Sequence, residues 1–481
     1  MILPTSYEPS PLDEVIPPLY NGIIYGFSCE DSQRERILEV LQEGYSRVLR
    51  LRPYLSSDLV RDESPDARPG SLKLLAVADL SSPSSGWHYS YAEVREAGMP
   101  QSWLDPKLLA PYVAGTAMTT KVLMGQVNWI PGGCLFTMYI AHAMADAWGA
   151  AMVTQYWAQQ CREFQGEFQS KDAKSTRPWD RIPEVSGHNP SIHDIPASQE
   201  SFDRLKSRPE LWKLLGLHWE DNNVAPENAI SLPTTIPAAA MAIPGMRTCI
   251  FSFSPEAGAR LKADATPLDE KKWISTKDAM AALIWRAVMR ARFPDIAQSA
   301  RDSEMVKADE GGKSIISVAI DGRSLCKVPY SFINNVVYCC MTEMPLRTIF
   351  AEDQLATLAS RIRGNIEAVK SDPSLIRDTN ILAASIPDVR QLAIAFKDFL
   401  GRDLVTTSWI DIPFFDGIDF GSVLGVPEFM RIPRGQFGGI CSLQPRKPNG
   451  EVEVFISLKG DDMDRFLEDT EFRKYAQFVC E

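Results

Sequence analysis

Residues 138–149 read Met138-Tyr-Ile-Ala-His-Ala-Met-Ala-Asp-Ala-Trp-Gly149. The run begins as an apolar, strand-like segment, puts an imidazole at its end, surrounds it with small side chains and sets an acid four residues on. Four residues are about one helical turn, so Asp146 can either bond the imidazole of His142 or point away and brace the loop. A base that must meet two substrates needs an open, rigid seat, and Ala141, Ala143 and Ala145 leave room beside the ring. The same pattern also suits a buried histidine at a helix start, so the rest of the chain has to decide.

Outward from this run, Thr120 to Ile130 and Cys134 to Ala141 read as a hairpin around Pro131-Gly132-Gly133, and Ala147 to Phe164 as a helix. Upstream, Ser32-x-x-Glu35 has the form of a capping box for a helix that Pro53 stops, and Leu72 to Val77 reads as a short strand. Between about Gln165 and Pro244 Ser, Asp, Asn and Pro become frequent, apart from a helical piece near Phe202 to Leu217. Further on, Thr248 to Phe253 is strand-like, Ser254-Pro255 opens a helix, and Ser275-Thr-Lys-Asp278 caps an apolar helix running to about Arg292. Residues 301 to 313 read as a solvated loop. Ile315 to Ile320, Asn334 to Met341, Val405 to Ile410, Gly438 to Leu443 and Val452 to Leu458 are strand candidates, with helices near 348 to 370, 386 to 399 and 461 to 478. Strands and helices interleave without a strict βαβ rhythm, which points to an α/β protein of mixed, α+β-like sheets rather than a parallel barrel. The expected organisation is an N-terminal domain over 1–190, a crossover linker over 191–245 and a C-terminal domain over 246–481.

The 481 residues carry a formal charge of −12 and no prominent basic run, which disfavours nucleic acid as a partner. An anionic ligand would therefore need a locally basic mouth. The nine cysteines, at 29, 134, 161, 249, 326, 339, 340, 441 and 480, form no C-x-x-C pair and have no histidine at ligand spacing. No structural zinc and a reducing compartment are expected, and Cys339-Cys340 reads as two strand positions facing opposite sides. The first residues lack a basic and apolar leader, and no stretch approaches ~18 uninterrupted apolar residues, so a cytoplasmic, monomeric protein is expected. His88, His188, His193 and His218 have no acid at the spacing of His142 and read as surface or linker residues. The absence of G-x-G-x-x-G, Walker and G-x-S-x-G patterns removes the simple dehydrogenase, NTPase and hydrolase readings.

A second ordered loop follows a strand at Ser408-Trp-Ile-Asp-Ile-Pro-Phe-Phe-Asp-Gly-Ile-Asp-Phe-Gly421 and continues to Leu424-Gly-Val-Pro427. Together, His142-x-x-x-Asp146 and Asp419-Phe-Gly421 at this separation resemble the BAHD acyltransferases, coenzyme A dependent enzymes that acylate alcohols and amines. Ser275-Thr-Lys-Asp-Ala-Met-Ala-Ala-Leu-Ile-Trp-Arg-Ala-Val-Met-Arg290, Ala319-Ile-Asp-Gly-Arg323 and Phe332-Ile-Asn-Asn-Val-Val337 are similar to the fungal branch that includes trichothecene 3-O-acetyltransferases. The resemblance covers most of the chain, and its strength is the order and spacing of several motifs.

It implies two chloramphenicol-acetyltransferase-like domains with a solvent channel at their interface, coenzyme A entering from one mouth and an alcohol acceptor from the other. His142 would be the general base, mostly neutral at pH 7 with an ordinary pKa of ~6.5. Asp146 would turn from the pocket and pair with Arg323. Thr407 and Trp409 match the segment whose hydroxyl and indole N–H lie near the tetrahedral oxyanion; ordinary strand residues are the competing reading. Ser275, Thr276 and Lys277, at a helix N-terminus, would meet coenzyme A phosphates, the alternative being simple capping. Asp419, Phe420 and Gly421 would be structural. The thiolate is a good enough leaving group that no covalent acyl-enzyme is required.

The common Asp-Phe-Gly-Trp-Gly-Lys-Pro reads here Asp419-Phe-Gly-Ser-Val-Leu-Gly-Val-Pro427, longer and without the Trp or the basic residue, as is frequent in the fungal branch; a coenzyme A contact at Val426 is not carried over. The implied reaction is acyl transfer, most simply acetyl from acetyl-CoA, to a hydroxyl of a secondary metabolite. A condensation-type domain using carrier-bound thioesters shares the architecture, but such domains carry a second histidine where this chain has Ala141. A non-catalytic ligand-binding relative is the remaining alternative.

Overall fold

The computed structural model describes residues 9–16, 19–56, 76–110, 121–167, 189–219, 245–269, 272–302, 312–351, 355–396, 398, 400–415, 417–433 and 440–481. In chain order the strands are β1 (Tyr20–Ser28), β2 (Ala76–Asp79), β3 (Leu123–Ile130), β4 (Gly133–Ala141), β5 (Leu217–Trp219), β6 (Met246–Phe253) and β7 (Lys313–Asp321). They continue with β8 (Val337–Pro345), β9 (Leu392–Ile394), β10 (Asp403–Ser408), β11 (Phe429–Arg431), β12 (Ile440–Leu443), β13 (Val452–Lys459) and β14 (Gln477–Cys480). The helices that bear on the site are α1 (Pro11–Glu14), α2 (Arg34–Leu51), α3 (Ala147–Phe164), α4 (Thr276–Arg292), α5 (Leu355–Ser371) and α6 (Pro373–Ser385).

The strands form a five-stranded sheet in the order β11-β1-β4-β3-β2, a seven-stranded sheet in the order β14-β6-β13-β12-β10-β7-β8, and a small β5-β9 pair. Both large sheets are mixed: β2 runs parallel to β3, and β10 parallel to β7 and β12, among antiparallel neighbours. In the first sheet the two-residue turn Pro131-Gly132 sets Ile130 opposite Gly133, and Gly132 supplies the positive φ of 78°. Side chains then alternate. Ile23, Tyr25 and Phe27 of β1, with Cys134, Phe136, Met138 and Ile140 of β4, pack on α2 and α3, while Ile24 and Leu135 face a second layer around Trp87, Tyr91 and Leu104. Every residue of β3 and β4 is buried, so the strand that ends at His142 is fixed on both faces and both edges.

α3 and α4 lie where the sequence patterns put them, and so does the hairpin turn, its strands running over Leu123–Ile130 and Gly133–Ala141 while the expected start at Thr120 lies outside the described residues. Other boundaries differ. α2 starts at Arg34, and its entry is a capping box of Glu30 and Gln33 rather than Ser32 and Glu35. The expected helix at 386–399 is a 3₁₀ turn followed by β9, which pairs with β5; the helix is α6, announced by Asp372-Pro373, whose carboxylate caps the amides of Ser374 and Leu375. The 348–370 helix is broken into Leu346–Phe350 and α5, and the piece at 202–217 into Gln199–Leu205 and Pro209–Leu215. The closing helix stops at Leu467, with β14 beyond it. The strand expected from Asn334 begins at Val337, and residues 301–302 are helical. The starts of the strands expected at Leu72 and Gly438, the middle of the loop at 301–313, much of the crossover, and His188 fall outside the described residues.

Candidate active site

β4 delivers the chain at Ala141, and the His142 amide donates to the Leu19 carbonyl at 2.7 Å. The turn that follows is held by Asn21, which donates to the Ala145 carbonyl at 3.1 Å. Asn335 donates to the His142 carbonyl at 2.7 Å and to Asp13 at 2.8 Å, so the histidine backbone is clamped from the second half of the chain. Nδ1 of His142 is buried without a hydrogen-bond partner, as is Oδ1 of Asn335. Burial lowers the imidazole pKa below 6.5, opposed by its own carbonyl, the Asp146 charge and the Asn335 side chain. The ring is therefore neutral at pH 7, the form that accepts a proton.

Asp146 is the N-cap of α3. Its Oδ1 accepts from the Gly149 amide at 2.9 Å and from Arg323 at 2.9 Å, and its Oδ2 accepts from Arg323 at 2.9 Å and from the Val336 amide at 3.1 Å. With two donors on each oxygen, the carboxylate is saturated by groups other than the imidazole. Arg323, fully buried, also donates to Asp321 and to the carbonyls of Phe332 and Asn334. Burial alone would lower its pKa, but the charges of Asp146 and Asp321 raise it. The motif acid thus welds the start of α3 to the end of β7 and the 332–336 loop.

Thr407 and Trp409 lie at and just past the end of β10, which with β7 and β12 points its carboxyl end toward Asp146. The ends of these strands, the first turns of α3 and α4, and one face of α5 enclose a cavity of about 490 Å³. Asp146, Lys277, Arg323, Thr407 and Trp409 are in its wall; Ser275, Thr276 and His142 are not. The Ser275 hydroxyl is engaged in the α4 capping box with Asp278 and accepts from Arg363 at 2.9 Å. Asp419 caps the Gly421 amide, and Phe420 packs edge-on against Phe27 and Phe136. Its carbonyl accepts from Gln165, just past the C-terminal end of α3, so this loop sits about 27 Å of helix away from Asp146. Val426 is exposed.

The sequence reading passed over three contributors. Asn335 was inside a quoted motif but carried no assigned role. Asp13, fully buried, accepts from Ser10, Asn334 and Asn335, and burial pushes its pKa up to about 6 against those bonds. Arg363 and its neighbours on α5 wall the cavity through a helix whose sequence shows only an ordinary amphipathic pattern. Among the described residues no group of His, Cys, Asp and Glu is placed to hold a metal ion, and no helix is long and apolar enough to cross a membrane.

Residues 19–161 match the model of the trichothecene 3-O-acetyltransferase-like N-terminal domain, and residues 247–473 match the transferase family. The chain is 33% identical over 485 residues to the eremophilane O-acetyltransferase prx11 of Penicillium rubens, covering 97% of both chains. It is 26% identical over 481 residues to the trichothecene 3-O-acetyltransferase TRI101 of Fusarium sporotrichioides, covering 95% of this chain and 93% of that one. Among solved structures, F. graminearum TRI101 complexed with coenzyme A and T-2 mycotoxin superposes with a TM-score of 0.74 at 23% identity, covering 98% of this chain and 99% of that one. Vinorine synthase has the same fold at a TM-score of 0.57 and 15% identity, covering 96% and 92% of the two chains.

Proposed function

This chain belongs to the BAHD-like transferase family of acyl-CoA dependent O-acyltransferases, and from that premise we propose that it moves an acetyl group from acetyl-CoA to a hydroxyl of a secondary metabolite, with His142 as general base. Nε2 takes the hydroxyl proton as the oxygen attacks the thioester carbon. The tetrahedral oxyanion faces the Thr407 hydroxyl and the Trp409 indole N–H. Collapse breaks the C–S bond, and the thiolate leaves with the proton held by His142, so no acyl-enzyme forms.

The observation that carries this reading is the seat of His142: a neutral histidine whose backbone is clamped from both halves of the chain, four residues before Asp146, which lies in the wall of a cavity together with Thr407, Trp409 and Lys277. Asp146 is spent on Arg323, which assigns it bracing rather than proton transfer. The 33% identity to an eremophilane O-acetyltransferase makes hydroxylated eremophilanes the first acceptors to try. The N- and C-terminal domains, 1–190 and 246–481, would each supply one wall, the enzyme acting as a cytoplasmic monomer. The test is acetyl-CoA turnover with such alcohols, read by thiol release and product mass. His142→Ala should lose about 10³-fold in kcat and Thr407→Ala about 10²-fold. Full activity in His142→Ala would sink the mechanism.

A further inference from the structure

A histidine base must offer the lone pair of one ring nitrogen and keep its proton on the other, and the bond made by the second nitrogen decides which is which. In a serine-protease triad a carboxylate makes that bond. Here the motif acid is not available for it. Oδ1 of Asp146 accepts from Gly149 and Arg323, and Oδ2 from Arg323 and Val336. The ring of His142 is therefore oriented by some other group.

Asn335, fully buried, grips the same residue from the second half of the chain. Its Nδ2 donates to the His142 carbonyl at 2.7 Å and to Oδ1 of Asp13 at 2.8 Å, and its backbone amide donates to that same oxygen at 3.0 Å. Oδ2 of Asp13 accepts from the Ser10 amide and hydroxyl and from Asn334. A carboxylate served by donors on both oxygens fixes which way the Asn335 amide is turned. Rotated by half a turn, its oxygen would face the Asp13 carboxylate and the His142 carbonyl, and nothing would donate to either.

The fixed orientation leaves Oδ1 of Asn335 buried with nothing to accept from. His142, the residue it grips, has a buried Nδ1 with nothing to donate to. Two complementary orphans on residues already joined by a hydrogen bond are one bond short of satisfaction. The ring also responds to acceptors: burial lowers its pKa, while its own carbonyl, the Asp146 charge and the Asn335 side chain act against burial.

We propose that Asn335 is the positioning residue of the base: its amide oxygen takes the Nδ1 proton of His142, which leaves the free lone pair on Nε2, and Asp13 holds the amide in the orientation that does this. The proposal rests on the reading of His142 as general base and adds what sets its tautomer. No proton moves to Asn335. Nδ1 keeps its own throughout, and only Nε2 gains and loses one. When Nε2 is protonated, the Asn335 dipole already points its negative end at the cation, with no reorganisation during the reaction.

Nitrogen-15 NMR of the protein without acceptor, at pH 7.5, reads the tautomer directly, the His142 signals being those absent from His142→Gln. Neutral His142 should carry its proton on Nδ1. Asn335→Ala should move it toward Nε2, lower kcat about 10²-fold and keep KM for acetyl-CoA within about twofold. Since Asn335→Ala takes a donor from the buried Asp13, Asp13→Asn/Asn335→Leu, neutral at both positions and close in volume, makes the same test in a chain with no stranded charge. A wild-type ring protonated on Nε2, or a tautomer and kcat that ignore the loss of Asn335, overturns the proposal. A wild type with the proton on Nδ1 that transfers no acetyl group overturns the acyl-transfer reading and not the assignment of the ring.

Discussion

Asp146 and Arg323 form a buried, two-pronged ion pair that also caps a helix, and the energetics of such pairs are asymmetric. Removing either partner strands the other charge, so Asp146→Ala and Arg323→Ala should each lower unfolding free energy by about 3–5 kcal/mol, with the double variant losing far less than the sum. Chemical denaturation of the four proteins measures this; additive losses would mean the pair is not the brace. Asp146→Asn, if folded, should retain more activity than His142→Ala. His142 also sets a pH signature. Its pKa is lowered by burial, so the rate constant kcat/KM should rise along an acid limb centred below pH 6.5 and be flat above it. A limb centred above pH 7 would contradict a desolvated base. Asp13 acts in the opposite sense on stability. Its folded pKa is raised from 3.8 to about 6, so the folded state binds the extra proton and stability falls as pH climbs from about 4 to about 6. The stability of wild type relative to Asp13→Asn should therefore drop by about 3 kcal/mol across that window and stay level above it.

The first turn of α3 shows how one element couples these residues. A Cβ on Gly149 would lie 1.8 Å from the Ile333 carbonyl oxygen, so only glycine lets the helix start approach the 332–336 loop closely enough for Asp146 to reach Arg323 and the Val336 amide. Gly149→Ala should push the two apart, cost about 2–4 kcal/mol and lower activity through the Asn335 clamp on His142, while Gly132, with open space around it, should tolerate alanine with only the smaller penalty of its positive φ. Thermal unfolding and turnover of both variants check the contrast. The same element explains what could be read beforehand. α3 and α4 combine a side-chain cap with long buried faces, so local and tertiary signals agree and both were legible in sequence. β1 was not, although Ile23, Tyr25 and Phe27 alternate, because three glycine or asparagine positions interrupt its pattern and its strand identity comes from pairing along all of β4. The helix expected at 386–399 gives way there to a three-residue strand, β9, which exists only through its distant partner β5, while the helix at Pro373–Ser385 was not anticipated. Asp13 and Asn335 were invisible as a pair: 322 positions separate them, and no local spacing encodes their contact.

At the scale of the molecule, the two halves of the sequence do not keep to their own sheets. β11, from the second half, pairs with β1 through Ile24, Tyr25 and Gly26 and forms an edge of the first sheet. Its Arg431, fully buried, donates to Glu453 on β13 of the second sheet at 2.7 Å and to the carbonyls of Gly98 and Met99 in the first half. Burial would raise the Glu453 pKa, but Arg431 and Lys447 outweigh it and the pair stays charged. The site is divided in the same way, with His142 and Asp13 on one half and Asn335, Arg323 and Thr407 on the other. Separating the halves would therefore leave β1 with an unpaired, apolar edge and the His142 seat without its clamp. Residues 1–245 produced alone should aggregate or melt without a cooperative transition, and residues 246–481 alone should bind no coenzyme A. Co-production of the two pieces should restore a soluble complex, and Arg431→Ala in the second piece should weaken that recovery by leaving Glu453 charged and buried. A soluble 1–245 fragment with a sharp melting transition would show instead that β11 and Arg431 decorate a self-sufficient unit.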